Sequence, residues 1–121
     1  MKTSLLILLV AALVTTFVSR ANAHAFLDHA APAVGSAVQG SPTEVKLWFT
    51  QALEPAFCTV RVLDGKERTV DAGDKAVGAA DRTLLRVSVR PLSPGTYRVV
   101  WRVLSVDTHV TEGDFTFDVT P

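Results

Sequence analysis

Apolar and polar positions alternate along most of the chain. Val45, Leu47 and Phe49 alternate with Lys46, Trp48 and Thr50, and Leu85, Val87 and Val89 alternate with Arg86 and Ser88. Tyr97, Val99, Trp101 and Val103 alternate with Arg98, Val100 and Arg102, and Phe115, Phe117 and Val119 with Asp114, Thr116 and Asp118. Period-two spacing turns one face of a strand to a core and the other to solvent. No window keeps helical spacing for long. The stretch Ala72–Ala80 carries Gly73 and Gly78 and reads as a loop or a short edge segment. Asp64-Gly65 between two β-prone runs predicts a tight hairpin. Gly40-Ser41-Pro42 and Ser93-Pro94-Gly95 punctuate the chain before the strands near Glu44 and Thr96. About seven short strands at this spacing predict an all-β fold, an antiparallel immunoglobulin-like Greek-key β-sandwich or small barrel.

The first residues break this rhythm. Met1-Lys2 precedes an apolar run from Leu5 to Val14, a polar patch ending in Ser19-Arg20, and Ala21-Asn22-Ala23. A charged start, an apolar middle and a small-x-small end are the marks of a secretory signal peptide, expected over 1–23 with cleavage after Ala23. Leu5 to Val18 is shorter than the ~20 residues a membrane span requires. The expected mature domain is 24–121, soluble and outside the cytoplasm. Losing Lys2 and Arg20 leaves ten basic against twelve acidic groups, a formal charge of −2. A domain of this size can fold alone.

The full chain has 121 residues, 48% apolar and 20% charged, with formal charge zero. That allows one domain, excludes disorder, and offers no basic excess for nucleic acid. An oxidising compartment permits disulfides, but Cys58 is the one cysteine. It shares a strand face with Val60 and Val62 and is expected to be a small buried apolar residue.

Candidate chemistry rests on three histidines, His24, His29 and His109. Cleavage would give His24 a free α-amine beside its imidazole, and the two close a chelate ring on a metal. Copper(II) heads the divalent affinity series and favours tetragonal nitrogen and oxygen donors. In an extended segment Asp107 and His109 point the same way, about 6–7 Å apart at Cα. With His24 they supply three nitrogens and one oxygen, a set that suits copper(II) and tolerates zinc. His29 has no same-face carboxylate in sequence and reads as a surface or structural histidine. Glu44, Glu54, Asp64, Asp71, Asp74 and Asp81 read as a solvated scatter of charge.

Four stretches carry a resemblance: His24-Ala25-Phe26-Leu27 with Pro32-Ala33-Val34-Gly35-Ser36; Val45-Lys46-Leu47-Trp48-Phe49-Thr50; Pro94-Gly95-Thr96-Tyr97-Arg98-Val99-Val100-Trp101-Arg102; and Ser105-Val106-Asp107-Thr108-His109 with Gly113 and Phe115. The last resembles the S-x-D-x-H-x-x-x-G-x-x-x-F signature of the CopC family of periplasmic copper-binding proteins, and the likeness spans nearly the whole mature chain. The resemblance implies a Greek-key β-sandwich and a copper(II) site on His24, Asp107 and His109. Some members have a second, methionine-rich copper(I) site. Here the one methionine is Met1, so no thioether site is expected. Some carry an acidic residue after the F-[S/T] pair, where this chain has Gln51, a candidate support for the metal-bound imidazoles.

The function expected is a monomeric, non-enzymatic copper(II) carrier or buffer in copper homeostasis or resistance. Its partners would be the ion and an inner-membrane copper importer of the CopD type. Two alternatives stand beside it. A terminal histidine with a second histidine is similar to the copper brace of lytic polysaccharide monooxygenases, although no flat aromatic platform for sugar is evident and Asp107 would fill a position that oxygen chemistry needs open. The other is an immunoglobulin-like assembly module with incidental histidines.

Overall fold

The computed structural model describes residues 25–121, and the expected signal peptide and His24 lie outside them. Eight strands form two four-stranded sheets. One sheet has the order β1 (Leu27–Ala31), β3 (Glu44–Phe49), β6 (Leu84–Ser88) and β5 (Ala76–Val77). The other has the order β2 (Ala37–Gln39), β8 (Val110–Thr120), β7 (Gly95–Leu104) and β4 (Thr59–Leu63). The result is the expected sandwich. Eight strands replace the expected seven because β2 is a three-residue element with little alternation to read. That strand also pairs in parallel with β8, in a fold otherwise antiparallel. Residues 72–80 contain β5, a two-residue edge strand, as their glycines and alanines suggest.

The alternation does what period two requires. In β3 Val45, Leu47 and Phe49 are buried while Glu44, Lys46 and Trp48 are partly exposed. Tyr97, Val99, Trp101 and Val103 of β7 meet them from the opposite sheet with Phe115, Phe117 and Val119 of β8. Phe49 and Trp101 touch edge to face at 5.1 Å. The Tyr97 hydroxyl donates to the Ser93 carbonyl at 2.6 Å, so a core ring also ties down the turn that precedes its strand. Cys58 is fully buried, and its thiol donates to the Glu54 carbonyl at 3.2 Å. Burial pushes the thiol pKa up, which favours the neutral form.

The acidic residues are not all a solvated scatter. Asp71 is buried at 6% exposure, and its two oxygens accept the backbone N–H groups of Val62 at 2.9 Å and Gly73 at 3.0 Å. It closes part of the open edge of β4, where unpaired N–H groups would otherwise lie bare. Asp64 accepts from the N–H groups of Lys66 and Arg68, and Asp81 from that of Thr83, so both build turns. The backbone N–H of Arg68 leads in holding the Asp64 carboxyl below its usual range. At the Asp64-Gly65 reversal the returning chain bonds to β4 only at points such as Leu63↔Thr69, so no regular two-stranded hairpin forms. Asp71→Ala should strand the Val62 N–H in the interior. The expected loss is about 2 kcal/mol, seen as a melting temperature lower by roughly 10 °C. A shift within the noise of a thermal scan would show that the bond contributes nothing net.

Candidate metal centre

The longest hairpin carries the site. β7 and β8 pair from Gly95↔Val119 to Leu104↔Val110, and residues 105–109 reverse the chain between them. The Asp107–His109 segment is therefore a turn, not the extended strand that its spacing suggested. The Ser105 N–H donates to the His109 carbonyl at 3.0 Å, and the Thr108 N–H to the Ser105 carbonyl at 2.9 Å. Thr108 sits at φ +73°, a left-handed conformation that is unfavourable for a β-branched residue. The turn pays that strain to bring its two flanking side chains together.

Asp107 Oδ2 lies 3.3 Å from His109 Nδ1. The Ser105 hydroxyl, fully buried, contacts Asp107 Oδ1 and lies 3.2 Å from the His109 carbonyl. One carboxylate oxygen is thus occupied by the protein. The other faces the imidazole in an ion-pair contact and is itself shielded from solvent. The Ser105 hydroxyl, aided by the His109 ring and opposed by desolvation, holds the Asp107 carboxyl below its usual range, so it stays ionised in mild acid.

The segment after β3 braces this turn. Leu53 bridges to Ser105, the Val106 N–H donates to the Ala52 carbonyl at 3.0 Å, and the Glu54 N–H to the Leu104 carbonyl at 2.9 Å. Gln51 lies in the bend that opens this segment. The start of the described chain comes to the same end. Ala25 is fully buried, and its carbonyl accepts from the Thr111 hydroxyl at 2.5 Å. Phe26 N–H donates to Thr50 Oγ1 at 3.0 Å, and Thr50 N–H returns a bond to the Phe26 carbonyl at 2.9 Å.

Asp107 and His109 are therefore together, and His24 lies outside the described residues. Among the described residues no three carboxylate, imidazole or thiol groups converge as a metal-holding set. His29 stands apart, on the outer face of the other sheet. Adjacent strand residues ordinarily point to opposite sides, but a register shift between Leu27 and His29 leaves both Asp28 and His29 exposed. Asp28 Oδ2 then reaches His29 Nδ1 at 2.6 Å, and the ring stacks on Trp48 at 4.4 Å. His29 is a surface histidine as expected, but the bulge gives it the same-face carboxylate that its sequence neighbours did not promise. Ser105 stands in the signature, but spacing gave it no role; its buried hydroxyl contacts Asp107 and organises the turn.

A two-sheet sandwich with a carboxylate–imidazole turn at one end defines a recognisable class. The CopC domain model matches residues 27–120, and the chain belongs to the CopC family. It is 36% identical over 105 residues to copper resistance protein C of Xanthomonas campestris pv. juglandis, covering 82% of each chain. The crystal structure of CopC from Methylosinus trichosporium OB3b superposes with a TM-score of 0.76 at 36% identity, covering 81% of this chain and 95% of that one. That of PcoC, a methionine-rich copper resistance protein from Escherichia coli, superposes with a TM-score of 0.71 at 36% identity, covering 81% and 100%.

Proposed function

We propose that the mature protein is a periplasmic copper(II) carrier or buffer that holds the ion through the amine and imidazole of His24, the Asp107 carboxylate and the His109 imidazole. The observation that carries this reading is the turn that brings the Asp107 carboxylate within 3.3 Å of the His109 imidazole, at the end of the sandwich where Thr111 holds Ala25. A cation there would complete the site. Membership of a family that includes copper resistance proteins supports copper as the cargo. Nitrogen and oxygen donors favour the divalent ion, and the absence of methionine after Met1 leaves no thioether donors for copper(I). Binding and release require no bond to be made in a substrate, so the reading needs no catalysis.

The tether of Ala25 to Thr111 supports His24 as the third contributor, since a trans peptide separates consecutive Cα atoms by about 3.8 Å. Removal of the leader would create the free amine, so export and site assembly are linked in this reading. Transfer to a membrane importer of the CopD type would then use the end of the sandwich where Phe26, Val106 and Val110 stand exposed around the turn.

Two forms test the proposal in one competition titration with copper(II): the chain beginning at His24, and a chain that keeps Ala23. The form with Ala23 loses the chelating amine and should bind at least about tenfold more weakly, with one fewer nitrogen donor by electron paramagnetic resonance. Affinity of the cleaved form should fall as pH drops from about 8 to about 5, because amine and imidazole must shed protons to bind while Asp107 remains ionised. Equal affinity of the two forms at pH 7.5 would overturn the role of His24.

A further inference from the structure

The first described residues are held at the metal end by a side chain that has no place in the proposed donor set. Thr111 lies in β8, two residues beyond His109, and pairs with Val103 of β7. Its hydroxyl donates to the carbonyl of Ala25, a residue 86 positions away in sequence, at 2.5 Å. Ala25 is fully buried, so its carbonyl has no water to turn to if that donor is lost. The next residue, Phe26, is bonded in both directions to Thr50, at 3.0 and 2.9 Å. Those two bonds lock Phe26 to the end of β3. The Thr111 bond holds the Ala25 carbonyl, the other polar end of the peptide plane whose N–H is bonded to Thr50, and so pins the first described residue at both ends of that plane.

From this geometry we infer that Thr111 is a positioning residue for the amino-terminal ligand. Resting on the copper(II) reading above, it sets affinity by fixing the segment that carries His24, without touching the ion. A chelating residue on a loose tail must be ordered at the moment of binding, and that ordering weakens affinity. A hydroxyl that orders the adjoining peptide in advance removes the cost. Val and Thr have nearly the same shape and both suit a strand, so Thr111→Val deletes the donor while leaving the strand intact. Thr111→Ser keeps the donor and removes only a methyl group.

The test uses the chain beginning at His24, in five versions: parent, Thr111→Val, Thr111→Ser, His24→Ala and the double variant His24→Ala/Thr111→Val. Copper(II) affinity is read by competition titration, nitrogen donors by electron paramagnetic resonance, and folding by the metal-free melt. Thr111→Val should bind on the order of tenfold more weakly, the factor that one net hydrogen bond represents. Its nitrogen couplings should shift towards those of His24→Ala. Thr111→Ser should stay within about threefold of the parent. In the His24→Ala background Thr111→Val should cost nothing more, because the ligand it positions is gone. Parent-like binding by Thr111→Val overturns the inference, as does an equal loss in the His24→Ala background or an equal loss in Thr111→Ser. If His24→Ala itself binds like the parent, the copper site assignment fails and this inference fails with it. If His24→Ala is weak and Thr111→Val is not, only the positioning role is refuted.

Discussion

His109→Ala should bind copper(II) at least about 100-fold more weakly than the parent, while its metal-free form melts within a few degrees of it. Changing groups that merely support a metal ligand commonly costs 10- to 100-fold, so deleting a proposed ligand should reach the top of that range or exceed it. The fold should not suffer in proportion. The His109 side chain is half exposed, and it is the backbone carbonyl of this residue that accepts the Ser105 N–H and closes the turn. Alanine keeps that carbonyl. The ion pair with Asp107 is partly exposed, and such pairs contribute little to stability. A competition titration beside a thermal scan separates the two effects. Binding within threefold of the parent would remove His109 from the site. A collapse of the melt would mean that the side chain is structural.

The second large effect is expected at Gly113, and it concerns stability. Gly113 faces Trp101 across the β7–β8 ladder. A Cβ at this position would stand 2.6 Å from Cζ2 and 3.0 Å from Cε2 of the indole, inside any contact that real side chains make. Trp101 is buried and braced against the ring of Phe49, so it cannot step aside without disturbing the core. Its backbone neighbour needs no unusual conformation. The glycine is required by the indole, not by the chain path. Gly113→Val should therefore destabilise by about 3 kcal/mol, the upper part of the range for overpacked cores, even though valine favours strands. In a domain of this size the melting temperature should fall by roughly 15–20 °C. Partial rescue by Trp101→Phe, which shortens the opposing ring, would assign the loss to that contact. A Gly113→Val protein as stable as the parent would show that the ladder opens freely.

Much of the fold was legible because it follows from alternation. A strand half in water must repeat every second residue, and β3, β6, β7 and β8 do so in plain sight. Cys58, in line with Val60 and Val62, is buried as its spacing required. The short elements were less legible: β2 has three residues and β5 two, too few to establish a period. Asp71 was misread for a related reason. A carboxylate that accepts backbone N–H groups, as Asp71 does, has the same local sequence as one in solvent, and only the path of the chain around it decides. His29 and Asp28 meet because of a one-residue register shift, which alternation takes no account of.

By itself the sequence determined the all-β sandwich, the carboxylate and imidazole at Asp107 and His109, and the family signature, since each depends on residue identity and near-neighbour spacing. It did not determine how those two groups converge. They meet through a left-handed Thr108 in a turn, under a buried Ser105 hydroxyl, at the end of the molecule where Thr111 holds Ala25. Those contacts join residues as many as 86 positions apart. Their energies come from burial and from bonds that exist only once both sheets have closed, so no local pattern in the chain records them.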